Sequence, residues 1–281
     1  MKMTSKYVRL KTVNMRLHYR GFGDPKNPTI LFLHGLRGSS KTAARFAKHL
    51  KGYQVILLDL PGYGKSDSLP LEHTLHNLAA TVSDFIETIQ LTKVTVIGHS
   101  FGGTLAYVIG ALFPKNIAQI VLITPALTPG GVFLRIAKLY YDIYVRLPLR
   151  MQQFLLTNYQ LIWIASDLML TTGDQKIKQR YLKDAHDNSR TIDPRTIAEI
   201  ARDMNKINLE ELAHSIKVPI FILGAELDTL TPATYLEKLS LKIPNADFQV
   251  LSQIGHLSPV EIPQKLASVI IEYLEIRRST L

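Results

Sequence analysis

The sequence predicts an α/β protein in which a mostly parallel sheet of eight strands is covered by helices on both faces. Short apolar runs alternate along the chain with longer segments whose apolar residues recur at helical spacing. This alternation is typical of a parallel sheet, because each crossover between parallel strands needs a long connection, usually a helix. The alternation stops between residues 127 and 214, which indicates a helical segment inserted between two strands.

The first two predicted strands form an antiparallel hairpin. Residues 7–13 and 15–20 alternate apolar and polar side chains, as strands with one solvated face do, and Asn14 lies between them. The later strands are mostly apolar runs, which is typical of strands buried on both faces. These runs are residues 29–33, 54–58, 93–97, 117–123, 218–223 and 248–251.

Four helices are predicted between or after these strands. The clearest covers residues 75–89, where Leu78, Val82 and Ile89 belong to one apolar face. The other three cover residues 40–50, 104–113 and 264–273. We expect them to cover the two faces of the sheet.

Residues 127–214, called the insertion below, are predicted to form a helical cap between two core strands. The predicted helices are residues 132–145, 149–170, 175–187 and 194–204, and Pro129-Gly130-Gly131 marks the entry. The core would then comprise residues 1–126 and 215–281. The first half of the insertion is rich in aromatic residues, which either pack the cap or line an apolar pocket: Phe133, Tyr140, Tyr141, Tyr144, Phe154, Tyr159 and Trp163.

Composition excludes several classes of protein. The chain has no cysteine, which excludes disulfides, thiolate metal sites and a cysteine nucleophile. No spacing of histidines and carboxylates indicates a metal site, and no glycine-rich phosphate loop opens a helix. We therefore expect no metal and no cofactor. No recognised nucleic-acid-binding module is present, so nucleic acid is not an expected partner.

The net charge of +10 comes from the first part of the chain. Residues 1–51 contain twelve Lys or Arg residues and a single acid, Asp24. These charges alternate with apolar residues, which favours solvated strand and helix faces over a peripheral contact with an anionic membrane. The N-terminus lacks an apolar signal region, and polar residues interrupt the apolar segment 151–170. We expect a cytoplasmic protein without a transmembrane segment.

The strongest catalytic signal is the sequence Gly98-His99-Ser100-Phe101-Gly102. It follows the strand at 93–97 and precedes the helix at 104–113. A nucleophile elbow needs this strand, sharp turn and helix, with small residues two positions before and after the serine. Ser100 is therefore the predicted nucleophile.

A serine hydroxyl needs a general base, and the base needs an acceptor for its second N–H group. His256 follows the strand at 248–251, and Asp228 follows the strand at 218–223. The carboxyl ends of parallel strands meet at one edge of a sheet, where ligand sites gather. Ser100, Asp228 and His256 are therefore predicted to lie together. Glu226 remains the alternative acid, since the strand at 117–123 is followed by no carboxylate.

The chain resembles the α/β-hydrolase fold superfamily, with serine esterases and lipases that carry a helical cap. Four segments carry the resemblance: residues 33–36 (Leu-His-Gly-Leu), residues 59–66 (Asp-Leu-Pro-Gly-Tyr-Gly-Lys-Ser), residues 98–103 and the histidine loop around Gly255-His256. They are specific for fold and mechanism and poorly specific for substrate.

The resemblance implies a role for each matching residue. Ser100 is the expected nucleophile, His256 the base and Asp228 the acid that orients it. The backbone N–H groups of Leu36 and Phe101 would form the oxyanion hole. His34 and His99 also lie in the matching segments, and there the resemblance implies a structural role.

The expected function is hydrolysis of a carboxylic ester through an acyl-enzyme. The apolar cap favours a small, hydrophobic ester substrate. Three other bonds could be cleaved by the same triad: a carbon–carbon bond of a vinylogous diketone, a thioester or a lactone. A diketone site would need polar groups such as an arginine facing Ser100, and Arg135, Arg146 and Arg150 are available. A ligand receptor without catalytic activity is the remaining alternative, and the oligomeric state is not predicted.

Overall fold

Eight strands form one sheet in the computed structural model, which describes residues 3–127, 139–204 and 208–279. The strands are β1 (Thr4–Leu10), β2 (Met15–Phe22), β3 (Thr29–Leu33), β4 (Gln54–Leu58), β5 (Val94–His99), β6 (Ile117–Ile123), β7 (Ile220–Ala225) and β8 (Ala246–Leu251). Their order across the sheet is β1-β2-β4-β3-β5-β6-β7-β8. β2 pairs antiparallel with β1 and β4, and the remaining pairs are parallel. The predicted eight-stranded, mostly parallel sheet is confirmed.

The helices follow the strands in the predicted alternation. They are α1 (Ser40–Ala47), α2 (Leu75–Thr88), α3 (Phe101–Leu112), α4 (described over 139–144), α5 (Leu149–Thr157), α6 (Tyr159–Met169), α7 (Gln175–Ser189), α8 (Pro194–Met204), α9 (Ala233–Ser240), α10 (Ser258–Glu261) and α11 (Pro263–Ser279). A 3-10 helix covers Leu209–Ser215. None of the described helices has both the length and the apolar character needed to cross a bilayer.

Both faces of the central strands are buried. Along β3, Leu31 and Leu33 belong to one hydrophobic cluster, and Ile30 and Phe32 belong to another on the opposite face. Helices α2, α3 and α9 supply apolar residues to the first cluster, and α1 and α11 supply them to the second. Successive residues of a strand point to opposite faces, so an uninterrupted apolar run is what such a strand requires.

Several boundaries differ from the prediction. β1 begins and ends three residues earlier than predicted, because residues 11–14 form the turn and Asn14 has a φ of 48°. Helix α3 begins at Phe101, directly after Ser100, and not at residue 104. Three short elements were not predicted from the sequence: α9, α10 and the 3-10 helix at 209–215. They lie between segments whose apolar pattern is stronger than their own.

The described part of the insertion is helical, and it lies between β6 and β7. The single helix predicted at 149–170 is wrong: Asn158 separates α5 from α6. The backbone of Asn158 is extended, and the Asn158 side chain accepts a hydrogen bond from the Leu161 N–H group. This bond caps the start of α6. Of the helix predicted at 132–145, residues 132–138 lie outside the described residues. That the insertion is a separate cap domain stays a prediction.

Candidate active site

Ser100 lies in the tight turn between β5 and α3. Its φ of 54° and ψ of −118° are outside the usual regions for a residue with a side chain. Such backbone strain typically costs about 1–3 kcal/mol and is found at functional sites. The turn needs glycine nearby: a Cβ on Gly98 would stand 2.1 Å from the Gly102 carbonyl oxygen, and one on Gly102 would stand 2.2 Å from the Leu33 carbonyl oxygen.

The structure brings three predicted residues into one hydrogen-bonded chain at the carboxyl edge of the sheet. The Ser100 Oγ atom is 2.8 Å from His256 Nε2. On the other side of the ring, His256 Nδ1 is 2.8 Å from Asp228 Oδ2. His256 and Asp228 are buried. A carboxylate that accepts the Nδ1 proton leaves Nε2 free to accept the serine proton.

Asp228 is held as a carboxylate by its surroundings. Burial raises its pKa, but His256 and the hydrogen bonds from Thr231 outweigh that effect and leave the pKa below its usual value. The Thr231 hydroxyl and the backbone N–H groups of Leu230 and Thr231 donate to its oxygens. Glu226, the alternative acid, is exposed and accepts from the Gln253 N–H group.

The backbone of His256 is also fixed. Its carbonyl oxygen accepts hydrogen bonds from His99 Nε2 and from the Thr124 hydroxyl, each at 3.0 Å. Burial, and then the neighbouring His256, lower the pKa of His99 to about 3. His99 is therefore neutral near pH 7, and it carries the proton on the nitrogen that donates. This arrangement fits the structural role expected of His99.

The loop after β3 passes directly beside Ser100. A Cβ on Gly35 would stand 3.4 Å from the Ser100 Cβ atom. His34 is neutral near pH 7 because burial lowers its pKa, and it holds the loop by accepting from the Leu60 N–H group while its Nδ1 donates to the Gly35 carbonyl oxygen. Among the described residues, no acceptor is bonded to the backbone N–H groups of Leu36 and Phe101. Two free donors beside a nucleophile are what an oxyanion hole requires.

The insertion contacts the loop that carries Leu36. Arg37 Nη1 donates to the Leu156 carbonyl oxygen and to the Ser189 hydroxyl. Asn188 Nδ2 donates to the Arg37 carbonyl oxygen at 2.9 Å, and the Ser39 hydroxyl donates to Asn188 Oδ1 at 3.0 Å. The sequence does not predict these contacts, because no local pattern links residues that lie about 150 positions apart in the chain.

The insertion also contacts the loop that carries His256. The Thr171 hydroxyl accepts from the Gly255 N–H group and donates to Glu261. The backbone N–H groups of Thr171 and Thr172 donate to the same Glu261 oxygen. The segment between α6 and α7 therefore supports the histidine loop from outside the sheet.

The aromatic residues of the insertion divide into two groups. Tyr140, Tyr141 and Tyr144 contact one another, and they belong to or pack against the hydrophobic cluster that contains Phe101 and Leu127. Phe154, Tyr159 and Trp163 are more than half exposed. The first group is therefore part of the core that also includes Phe101, the residue after Ser100. Phe133 lies outside the described residues.

Comparisons with known proteins agree with this fold. A family model described as alpha/beta hydrolase fold matches residues 28–263. The chain is 26% identical to a 2-hydroxy-6-oxononadienedioate/2-hydroxy-6-oxononatrienedioate hydrolase of Paraburkholderia phymatum, over 96% of each protein. It is 24% identical to a monoacylglycerol lipase of Bos taurus, over 99% of this chain and 84% of the lipase. An esterase from Exiguobacterium antarcticum has a similar fold, with a TM-score of 0.82 and 18% identity over 97% of this chain and all of the esterase.

Proposed function

The chain belongs to the α/β-hydrolase fold family, and we propose that it is a serine hydrolase that cleaves carboxylic esters through an acyl-enzyme. One observation carries the proposal: Ser100, His256 and Asp228 form a continuous hydrogen-bonded chain, and Ser100 adopts the strained backbone of a nucleophile elbow. Ser100 is the proposed nucleophile, His256 the base and Asp228 the orienting acid.

The reaction proceeds in two halves. Ser100 Oγ attacks the ester carbonyl carbon as His256 Nε2 takes its proton, and the resulting imidazolium is stabilised by Asp228. The tetrahedral intermediate collapses, and the proton on His256 goes to the leaving alcohol. A water molecule activated by His256 then attacks the acyl-enzyme, and the carboxylic acid leaves as Ser100 regains its proton.

The negative charge on the carbonyl oxygen develops beside the loop after β3 and the start of α3. The backbone N–H groups of Leu36 and Phe101 are the proposed donors, and one donor of this kind typically contributes about 2.7–4 kcal/mol. Because they are backbone groups, substitution of either side chain leaves the donor in place. His34 and Asn188 hold the loop that carries Leu36, so substitutions at these two positions are the more useful test.

A small ester with an apolar acyl group is the proposed substrate. Phe101 follows the nucleophile and belongs to the same hydrophobic cluster as Leu127 and Tyr144, and Leu36 packs against this cluster. We expect an acyl chain bound beside Ser100 to contact the apolar side chain of Phe101 and its neighbours in this cluster. Transfer of such a chain from water contributes about 0.8 kcal/mol per buried methylene group.

Carbon–carbon bond hydrolysis is the second candidate, and the relative from Paraburkholderia phymatum favours it. The compound in that relative's name is a keto acid without an ester group, so its hydrolysis must break a carbon–carbon bond. Two of the three arginines considered for a diketone site, Arg146 and Arg150, are exposed, and Arg135 lies outside the described residues. Arg37 is a further arginine near the site: it is half-buried, and it lies in the loop after β3 that passes beside Ser100.

A substrate panel with the wild type and Ser100→Ala tests both candidates. We expect p-nitrophenyl esters of short and medium acyl chains to be hydrolysed by the wild type and not by Ser100→Ala. Faster turnover of a vinylogous diketone than of any ester would overturn the ester proposal in favour of carbon–carbon hydrolysis. Turnover of thioesters and lactones in the same panel shows whether either bond is cleaved faster than an ester.

The receptor alternative is tested with a fluorophosphonate. We expect the reagent to label Ser100, as located by peptide mapping, in a protein that also turns over esters. Labelling of Ser100 without turnover of any substrate in the panel would favour a ligand receptor instead.

A further inference from the structure

A second chain of serine, histidine and aspartate joins the hairpin to the end of β4, and the proposed function does not use it. The Ser5 Oγ atom is 2.7 Å from His18 Nε2. On the other side of the same ring, His18 Nδ1 is 2.7 Å from Asp59 Oδ2. The connectivity and the two distances closely match those of Ser100, His256 and Asp228.

The three residues differ in exposure in the way that a nucleophile requires. His18 is fully buried and Asp59 is 2% exposed, whereas Ser5 is exposed on β1, at the edge of the sheet. The base and the acid are therefore protected from water, and Ser5 is the exposed residue of the three. A reagent from solution can reach Ser5 without any movement of the fold.

Asp59 is fixed in its position by further donors. Its Oδ1 atom accepts from the Ser40 N–H group at 2.6 Å, and its Oδ2 atom accepts from the Lys65 N–H group at 3.1 Å. A carboxylate held in this way keeps the His18 proton on Nδ1, so that Nε2 accepts the Ser5 proton.

Arg20 is the cross-strand neighbour of Ser5. The two residues are directly paired in the antiparallel strands β1 and β2, so their side chains emerge on the same face of the sheet. Among the described residues, the Arg20 Nε atom has no hydrogen-bond partner. A positively charged side chain on this face of the hairpin favours approach of the carbonyl oxygen on which negative charge develops when Ser5 attacks.

We propose that Ser5 is a second nucleophilic serine, which accepts an acyl group from an activated carboxylic ester independently of Ser100. Ser5 Oγ bonds to the carbonyl carbon while its proton passes to His18 Nε2. The bond to the leaving group then breaks, and the leaving alcohol takes the proton from His18. The products are an ester on Ser5 and the free alcohol.

The test uses the full-length Ser100→Ala protein and p-nitrophenyl acetate, with acetylation at each serine followed by peptide mapping. Ser279 is the internal control, because it is also exposed and its hydroxyl donates to a backbone carbonyl oxygen instead of a histidine. A general base contributes about 10²–10⁴-fold, so we expect Ser5 to be acetylated at least about a hundredfold faster than Ser279. Equal rates at the two serines would overturn the proposal.

The role of His18 is tested with His18→Gln in the same background. We expect Ser5 acetylation to fall to about the rate of Ser279 while the circular dichroism spectrum is unchanged. Fast acetylation of Ser5 in a folded His18→Gln protein would contradict activation by His18. If the variant does not fold, the comparison of Ser5 with Ser279 in Ser100→Ala still decides the proposal.

Discussion

Asp228 is the residue whose role can be tested most directly. The amide of Asp228→Asn keeps the size of the side chain but favours the wrong tautomer of His256, and such a change typically lowers kcat by about 10⁴-fold. We expect a loss of this order in ester hydrolysis with little change in the melting temperature. Steady-state kinetics and thermal denaturation measure the two quantities.

Glu226→Gln is the matched control. Glu226 lies two residues from Asp228, and it accepts a backbone hydrogen bond from Gln253, which an amide oxygen can also accept. We expect near wild-type activity. A large loss in Glu226→Gln together with a mild effect of Asp228→Asn would assign the acid to Glu226.

His99 gives a prediction about stability and pH. Its pKa is about 3 in the folded protein and near 6.5 when unfolded, so between these values the unfolded chain binds more protons. The stability contributed by neutral His99 is complete above pH 6.5 and is lost progressively as the pH falls toward 3. Near pH 5 the loss amounts to about 2 kcal/mol.

The variant His99→Gln isolates this contribution, because the amide can still donate to the His256 carbonyl oxygen but does not titrate. We expect its free energy of unfolding to depend less steeply on pH between 6.5 and 4 than that of the wild type. Urea denaturation at several pH values measures the slope. Identical slopes for the two proteins would contradict a strongly lowered pKa of His99.

Residues with a local pattern could be identified from the sequence, and residues with distant partners could not. Ser100 is marked by glycines two positions away on each side, and Asp228 and His256 are marked by the strands before them. Thr231 lies three positions after Asp228, the spacing at which an aspartate accepts backbone and hydroxyl hydrogen bonds, so it could have been found. No pattern in the neighbouring sequence indicates that Asn188 contacts the loop after β3.

At the scale of elements, the elbow depends on the close approach of α3 to the end of β3. The change Gly102→Ala places a Cβ atom 2.2 Å from the Leu33 carbonyl oxygen, so backbone must move. We expect a loss of at least about 3 kcal/mol in the free energy of unfolding, at the upper end of what overpacking costs. Gly173→Ala, where no atom lies within 4 Å of the added carbon, is the control and should be nearly neutral.

The contact between α7 and the loop after β3 gives a second prediction at this scale. Asn188→Ala removes the two hydrogen bonds to Arg37 and Ser39, which together hold the loop that carries Leu36. We expect kcat to fall roughly tenfold, which corresponds to a barrier raised by about 1.4 kcal/mol when an oxyanion donor is displaced. Lys178→Ala, which removes an exposed ion pair within the insertion, should leave kcat unchanged. Equal effects of the two changes would argue against a positioning role for Asn188.

The accuracy of element prediction depends on the strength of the local signal. The buried strands were found because they are short apolar runs, and α8 was placed at its observed bounds, 194–204. The break between α5 and α6 was missed because apolar residues continue across Asn158 at helical spacing. Only the capping preference of asparagine indicated that a helix could begin there.

At the scale of the whole molecule, the insertion is bonded to the core at several separate places. Besides the contacts of Asn188 and Thr171, helix α8 reaches the segment before α2: Glu199 accepts from His73, and Asp203 accepts from the Leu75 N–H group. These bonds favour cooperative unfolding of the insertion with the sheet.

Trp163 tests this expectation, because it is the only tryptophan and lies in α6 of the insertion. We expect its fluorescence and the far-ultraviolet circular dichroism to report the same denaturation midpoint, as a two-state transition requires. An earlier fluorescence transition would show that the insertion unfolds as an independent domain.

The placement of these bonds also limits how the protein could be recombined with its relatives. Two of these contacts end on the loops that carry Leu36 and His256, so a transplanted insertion would bring its own supports for these two loops. A chimaera made to acquire a new substrate range would have to retain Asn188 and Thr171, or replace Ser39 and Glu261 together with them. We therefore expect an exchange of the insertion to change the activity of the chimaera as well as its substrate range.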